Sequence, residues 1–485
     1  MVTNSNGSQT TLPLVVDLDG TLIKTDLLFE SANQFITRNP FHLAAVLAWL
    51  TKGKSHLKTR LAQNCSIDAA SLPYNCNLIS WLSEEHQQGR KIILATASHN
   101  ILAQTVAKHL GFFNEVLATE GDLNLKADKK RDLLIQKYGA QGFDYIGNDV
   151  ADFPVWQSAH ANHVVSSSPT FIERVRRIGN LTKTFPSERP PLSRSLFKAL
   201  RLHQWLKNIL IFVPLLAAQQ FGNLVDDLQV LIAFGIFGLT ASSVYLLNDL
   251  VDVADDRHHY RKKLRPFAAG DLSLVAGWLL WPALLTISFS LAWFLLPPAF
   301  IVVLATYFAL TIAYSLRLKK TALIDVLTLA SLYTLRIFAG AAAISVPLSF
   351  WLLTFSMFIF LSLAFIKRFS ELKSARQVKM DGLLPGRGYE HQDLELVSTM
   401  GVSSGYLAVL VLALYIQDGR TGELYQAPQF IWLACPILLF WISRAWLIAH
   451  RGDMHDDPII FAIKDRISWM VGLCFLGIFT LAKII

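Results

Sequence analysis

The stretch Tyr245-Leu-Leu-Asn248-Asp249-Leu-Val-Asp252-Val-Ala-Asp255-Asp256-Arg257-His258 sets several carboxylates at the end of a hydrophobic segment. At about 100° per residue, Asp249, Asp252 and Asp256 fall within an arc of roughly 60°, so on a helix they face one point. Carboxylates this close repel one another unless a cation or proton separates them. Hard oxygen donors favour Mg²⁺, which usually keeps substrate phosphates in its shell. Acids beside an apolar span are costly, which sets this stretch apart from a solvated loop whose aspartates merely cap a helix.

These acids sit in a chain of 485 residues that is 53% hydrophobic and 16% charged, with a mean hydropathy of +0.39. The averages join two unlike halves. Up to about Arg189 the composition is that of a soluble domain, while from about Trp205 apolar runs long enough to cross a bilayer recur. They fall near 208–222, 228–247, 274–295, 299–316, 323–344, 348–366, 401–417, 428–447 and 468–485, about nine spans, the first of them short. Met1 to Thr11 is polar and lacks the basic-then-apolar order of a secretory signal. Cys65, Cys76, Cys435 and Cys474 show no metal-ligand spacing and read as packing residues.

Lys and Arg gather in alternate loops: Arg257, Arg261, Lys262, Lys263 and Arg265; then Arg317, Lys319 and Lys320; then Lys367, Arg368, Lys373, Arg376, Lys379 and Arg387; then Arg451, Lys464 and Arg466. The positive-inside rule puts these loops, the soluble half and the acidic stretch on the cytoplasmic side of the inner membrane. The net charge of +8 follows from this topology and from phosphates to be held, and requires no nucleic-acid partner.

In the soluble half, Pro13-Leu-Val-Val-Asp17-Leu-Asp19-Gly20-Thr21 is a short apolar strand delivering two aspartates into a turn. Lys91-Ile-Ile-Leu-Ala-Thr96-Ala-Ser98 is a second strand ending in hydroxyls; Lys126, Lys129 and Lys130 follow, then Phe143-Asp-Tyr-Ile-Gly147-Asn148-Asp149-Val-Ala-Asp152. Strands interspersed with helical stretches predict an α/β doubly wound sheet with its active residues at the C-terminal strand ends. This ordered set resembles the haloacid dehalogenase (HAD) superfamily of phosphatases. The resemblance implies that Asp17 attacks phosphorus, that Asp19 acts as general acid and base, and that Thr96 and Lys129, or its neighbour Lys130, hold the phosphoryl group. It also implies Mg²⁺ at Asp17, Asp19 and the last motif. Asn148 stands where these phosphatases carry Asp, so Asp149 or Asp152 would compensate. The helical region from about 27 to 88 reads as an inserted cap, with His42 to Leu50, too short to span, as cap core.

In the membrane half, Arg265-Pro266 follows the acids, and a second basic loop runs from Tyr314 to Asp325. Asp325 and Arg336 lie about three helical turns apart and share a face. The region from Leu200 onward resembles the UbiA superfamily of intramembrane transferases, in which Asn248-Asp249-x-x-Asp252-x-x-x-Asp256 is the first metal-binding motif. A lone second-motif Asp325, with Arg201-Leu-His-Gln204-Trp205-Leu-Lys207-Asn208 and Tyr314-Ser315-x-x-Leu318-Lys319, looks more like the decaprenyl-phosphate phosphoribosyltransferase branch. The resemblance implies phosphoribosyl diphosphate as electrophile, polyprenyl phosphate as nucleophile and Mg²⁺ held by Asp249, Asp252 and Asp256. Lys207, Arg265, Lys319 and Arg336 would hold phosphates, with Asn208, Asn248, Asp325 and Tyr314 or Tyr389 near the substrate.

The expected organisation is therefore a HAD-like phosphatase domain over 1–179 with its helical cap, a Pro-containing linker over 180–197, and an all-α multi-span bundle over 198–485. The phosphatase would remove the 5-phosphate of the lipid product. Two other functions stay open: a UbiA-type aromatic prenyltransferase using a polyprenyl diphosphate and a 4-hydroxybenzoate-like acceptor, and a non-catalytic membrane scaffold.

Overall fold

A computed structural model describes residues 11–120, 125–377, 388–454 and 457–485. Most of the polar N-terminal stretch, and Lys379 and Arg387 of the basic loops, lie outside the described residues. By compactness the chain divides into Met1–Leu200 with Leu246–Leu280, and Arg201–Tyr245 with Trp281–Ile485.

The first unit is built on six parallel strands: β1 (Leu14–Val16), β2 (Ile92–His99), β3 (Glu115–Thr119), β4 (Asp144–Gly147), β5 (Asn162–Val165) and β6 (Leu181–Phe185). Their order in the sheet is β3-β2-β1-β4-β5-β6. Strand residues alternate between two apolar layers. Leu14, Val16, Ile92, Leu94 and Ile146 join one layer, and Val15, Ile93, Tyr145 and Val164 the other. A sheet covered on both faces is why these strands read as continuous apolar runs, and it makes this an α/β doubly wound domain. β6 corrects the sequence reading, which placed 181–185 in a linker: it pairs in parallel with β5 and buries Phe185.

The insertion after β1, expected as a helical cap, comprises α1 (Leu27–Arg38), α2 (His42–Thr51), α3 (Lys54–Asn64) and, beyond a short 3-10 turn, α4 (Cys76–Gln87), whose Leu78 and Leu82 join the apolar layer of the sheet. Asp26 starts α1 by accepting the Leu28 N–H at 2.8 Å. Contrary to expectation, α2 is not cap core, since Val46 is its one buried residue. Segment Leu246–Leu280 belongs to this unit because α1 is fastened to it. The Asn33 amide donates to the Leu250 carbonyl at 2.9 Å, and Trp278 Nε1 donates to Asn33 Oδ1 at 2.9 Å. Of the four cysteines read as packing residues, Cys76 and Cys474 are exposed.

The second unit is all helical. Across the described residues of the chain, eight helices are long and apolar enough to cross a membrane: Leu224–Val251, Leu274–Leu295, Pro298–Leu316, Ile324–Ala343, Phe350–Ala375, His391–Ile416, Pro428–Arg451 and Arg466–Ile484. The chain is an integral membrane protein with an all-α multi-span bundle. The short first span expected at 208–222 takes another form, a 3-10 helix over Leu202–Phe212 followed by an α-helix over Val213–Ala217. With about 2.0 Å rise per residue in the first and 1.5 Å in the second, the pair reaches roughly 30 Å, the thickness of a hydrocarbon core. Gly340 on Ile324–Ala343 lets this segment approach, because a Cβ there would stand 2.0 Å from the Ile211 carbonyl oxygen.

Candidate functional site

The C-terminal ends of β1, β2 and β4 bring the phosphatase-like residues together. Lys130 Nζ, buried, lies 2.7 Å from Asp17 Oδ1 and donates to the Tyr145 hydroxyl at 3.0 Å. Thr21 Oγ1 lies 3.2 Å from Asp17 Oδ2 and donates to Asn148 Oδ1 at 2.9 Å. Asp19 accepts from Ser98 Oγ at 2.6 Å, from Thr96 Oγ1 at 3.3 Å and from the Leu27 N–H at 2.9 Å. Gly20, at φ +76°, is required because a Cβ would meet the Asn148 amide at 2.4 Å.

Burial sets the electrostatics here. It pushes the Asp17 carboxyl up to about 7, against the opposing pull of Lys130. Asp19 rises to about 6, again chiefly through burial, with Asp26 adding to it. A carboxyl poised near neutrality can both give and take a proton. From the cap, Lys58 donates to the Ala97 carbonyl at 2.6 Å, and burial lowers its pKa.

Three expected placements change. Lys129 is exposed, and Lys130, the next residue of the helix Asp128–Tyr138, turns inward instead. Asp149 is exposed and caps the turn Val150–Asp152. Asp152 accepts the Asn148 and Asp149 N–H groups at 3.0 and 3.1 Å and the Tyr145 hydroxyl at 2.7 Å, so it holds the loop rather than facing out. Ser98, Tyr145 and Thr21 were not singled out from the sequence. Only Ser98, two residues from Thr96 on one strand face, carried a signal.

The acidic stretch keeps its helical phase across a break at Asp252, since Asp252 N–H bonds to the Asn248 carbonyl and Asp256 N–H to that of Asp252 at 2.9 and 2.8 Å. Asp249 and Asp256 are almost fully buried and converge on one nitrogen of Arg265, at 3.3 and 2.6 Å. Burial pushes Asp256 up to about 6 despite Arg265, with Asp249 and Asp252 adding to the rise. Among the described residues no three His, Cys, Asp or Glu side chains stand close enough to hold an ion as they are. The donor chemistry nevertheless fits Mg²⁺, because hard oxygens already converge on a point that carries positive charge.

Within the second unit, the residues expected near substrate have protein partners. Asp325 is fully buried against Arg368 at 2.6 Å and accepts the Tyr314 hydroxyl at 2.9 Å. Arg336 donates to Asn208 Oδ1 at 3.0 Å and to the Leu332 carbonyl, and lies over the rings of Phe237, Tyr307 and Tyr333. Lys207 is paired with Asp457, a residue the sequence reading missed; Lys367 stands 3.5 Å from the same carboxylate. Against burial, Lys367 and then Lys207 bring Asp457 down to about 2. The Tyr389 hydroxyl accepts the Leu323 N–H at 2.9 Å. Lys319 is half-buried in the turn Leu318–Lys320, and Asn248 is half-buried at the helix end.

The chain thus joins a multi-span helical bundle to a doubly wound α/β domain, with buried carboxylates at the end of the span Leu224–Val251. The chain belongs to the UbiA prenyltransferase family, whose profile matches residues 209–475. An uncharacterised protein of Sinorhizobium fredii is 36% identical over 476 residues, 97% of this chain and 91% of that protein. The decaprenyl-phosphate phosphoribosyltransferase of Mycobacterium tuberculosis is 31% identical over 298 residues, 59% of this chain and 94% of the enzyme. Among solved structures, a UbiA homologue from Archaeoglobus fulgidus bound to GPP and Mg²⁺ matches 60% of this chain and 100% of its own at 16% identity and a TM-score of 0.45. A HAD family hydrolase from Salmonella enterica serovar Typhi matches 35% of this chain and 68% of its own at 14% identity and a TM-score of 0.27. The protein is thus a UbiA-family transferase whose N-terminal unit is an α/β doubly wound domain.

Proposed function

We propose that the membrane half transfers phosphoribose from phosphoribosyl diphosphate to a polyprenyl phosphate, and that the HAD-like domain removes the 5-phosphate of the product. One observation carries the proposal: Asp249 and Asp256, both buried, converge on Arg265, an arrangement suited to the diphosphate of an activated sugar. Mg²⁺, held by Asp249, Asp252 and Asp256, would supply charge neutralisation for the leaving pyrophosphate. Arg265 holds a diphosphate oxygen, and Lys207 and Lys319 are assigned to phosphate. The polyprenyl phosphate oxygen attacks the anomeric carbon as the bond to pyrophosphate breaks. The relatedness to decaprenyl-phosphate phosphoribosyltransferases supports the choice of substrates.

In the second step Asp17 is the nucleophile toward phosphorus and Asp19 protonates the leaving ribose oxygen, then takes a proton from water. Lys130 steadies the Asp17 carboxylate, and Ser98 and Thr96 orient Asp19. Asp17, Asp19 and Asn148 would provide the oxygen donors for a second Mg²⁺. We further propose that both halves face the cytoplasm, with the 3-10 segment over Leu202–Phe212 and Val213–Ala217 as a ninth crossing, which gives the basic loops one sidedness. The domain division at 180–197 becomes a shorter connection after β6.

The test uses the full chain in nanodiscs with polyprenyl phosphate, labelled phosphoribosyl diphosphate and MgCl₂. Labelled lipid that disappears in Asp249→Asn is the expected result. Asp17→Asn should stall at the 5-phosphorylated lipid. No lipid-linked ribose overturns the proposal; a prenylated aromatic acid made from polyprenyl diphosphate and 4-hydroxybenzoate would replace it with aromatic prenyl transfer.

A further inference from the structure

Helix α2 and the residue before it expose an apolar row that the soluble fold leaves uncovered. Phe41 is 86% exposed, and Leu43, Leu47 and Leu50 are exposed beside it. The His42 ring is tied inward by stacking on Phe35 and by its bond to the Phe35 carbonyl at 2.8 Å, which fixes the outward direction of the row. At ten residues α2 is too short to span a bilayer.

What covers this row follows from its surroundings in the same compact unit. The cluster that anchors α2, with Phe35, Ile36, Val46 and Leu57, packs against Trp278. Trp278 lies in the first turns of the candidate span Leu274–Leu295. On α1, Asn33 is bonded both to Trp278 and to the Leu250 carbonyl, near the end of the candidate span Leu224–Val251. The cap is therefore stapled to two span ends, at the depth where tryptophan marks a membrane–water interface. Charge agrees with this position. From Ser31 to Ile67 the chain has no Asp or Glu, while Arg38, Lys52, Lys54, Lys58 and Arg60 are basic.

We infer that α2 is an in-plane membrane helix, with Phe41, Leu43, Leu47 and Leu50 in the acyl boundary of the leaflet and Lys52 and Lys54 at anionic headgroups. Helices that turn an apolar face to the acyl boundary and Lys or Arg to the headgroups lie in the interface plane. On the proposed function the consequence is positional, because α2 fixes the cap, and with it the phosphatase-like site, at the surface that would supply the lipid-linked substrate.

The test labels Leu47→Cys with an environment-sensitive fluorophore in full-length protein carrying Cys76→Ser and Cys474→Ser. The protein is held in nanodiscs of phosphatidylcholine and phosphatidylglycerol. Leu43→Cys serves as a second site on the same row, and Arg177→Cys, exposed on Pro169–Ile178, as the aqueous control. Shallow spin-labelled phospholipid should quench both row positions at least about threefold more than position 177, while iodide in the buffer should do the reverse. Row positions that respond to iodide like position 177 overturn the inference. So does shielding from both quenchers, which would mean that protein covers the row.

Discussion

Arg257 and Glu30 close a buried two-pronged ion pair, with Nη1 to Oε2 at 3.1 Å and Nη2 to Oε1 at 2.7 Å. Glu30 lies on cap helix α1 and Arg257 directly after Asp256. Arg257 Nε also donates to the Ala268 carbonyl at 3.0 Å, and Glu30 accepts the Thr25 hydroxyl at 2.6 Å. The segment carrying the proposed diphosphate ligands is thus held to the same helix that begins beside Asp19.

Breaking that pair from one side strands a buried charge. Arg257→Gln should destabilise the unit by about 3–5 kcal/mol, and Glu30→Gln combined with Arg257→Gln by less than the sum of the two single changes. Thermal unfolding of the full chain in detergent, run as a double-mutant cycle, measures this. Additive losses would show that the two side chains do not act together.

Neighbouring lysines should behave in opposite ways. Lys130→Ala removes the partner of Asp17 and should lower hydrolysis of p-nitrophenyl phosphate by about 10²–10³-fold, by analogy with loss of a charge-stabilising donor. Lys129→Ala, on the exposed side of the same turn, should stay within about twofold of the parent. Equal losses would argue that the helix rather than one ammonium matters.

The amide of Asn148 offers a gain-of-function test. Asn148→Asp adds a carboxylate beside Thr21 and Asp17, so the Mg²⁺ concentration giving half-maximal phosphatase activity should fall by about tenfold, as ligand charge count tunes affinity. An unchanged requirement would show that Asn148 does not face the ion.

The parts of the fold legible in the sequence were those with a strong period or a fixed order. Asp17, Asp19, Thr96 and Asn148 were legible because each ends an apolar strand, and a parallel sheet gathers strand ends. Asp249 and Asp256 were legible because helical spacing alone aligns them. Lys130 was not separable from Lys129, because the choice depends on helix phase against Asp17. Asp325 and Arg336 read as substrate groups because charge inside a span signals function, yet each is neutralised or bonded by residues distant in sequence, Arg368 and Asn208. The 3-10 winding of Leu202–Phe212 had no sequence signal, and α2 looked like core only because its exposed row is as apolar as a buried one.

Acid should destabilise the first unit through a buried histidine. His163 on β5 is buried, with Nδ1 3.0 Å from the Thr182 hydroxyl and Nε2 without a hydrogen-bond partner. Burial lowers its pKa from 6.5 to about 4. An unfolded chain binds this proton near pH 6.5, whereas the folded domain binds it only near 4, so between those values the unfolded state takes up more protons. Stability contributed by neutral His163 is fully present above about pH 6.5 and is lost as pH falls toward 4, by up to about 3 kcal/mol. Other groups titrate in the same window, so the informative quantity is a difference. The unfolding temperature of His163→Gln protein should fall less between pH 7 and pH 4.5 than that of the parent, even if it starts lower through the lost Thr182 contact. Parallel curves for the two proteins would show that His163 carries no such proton linkage.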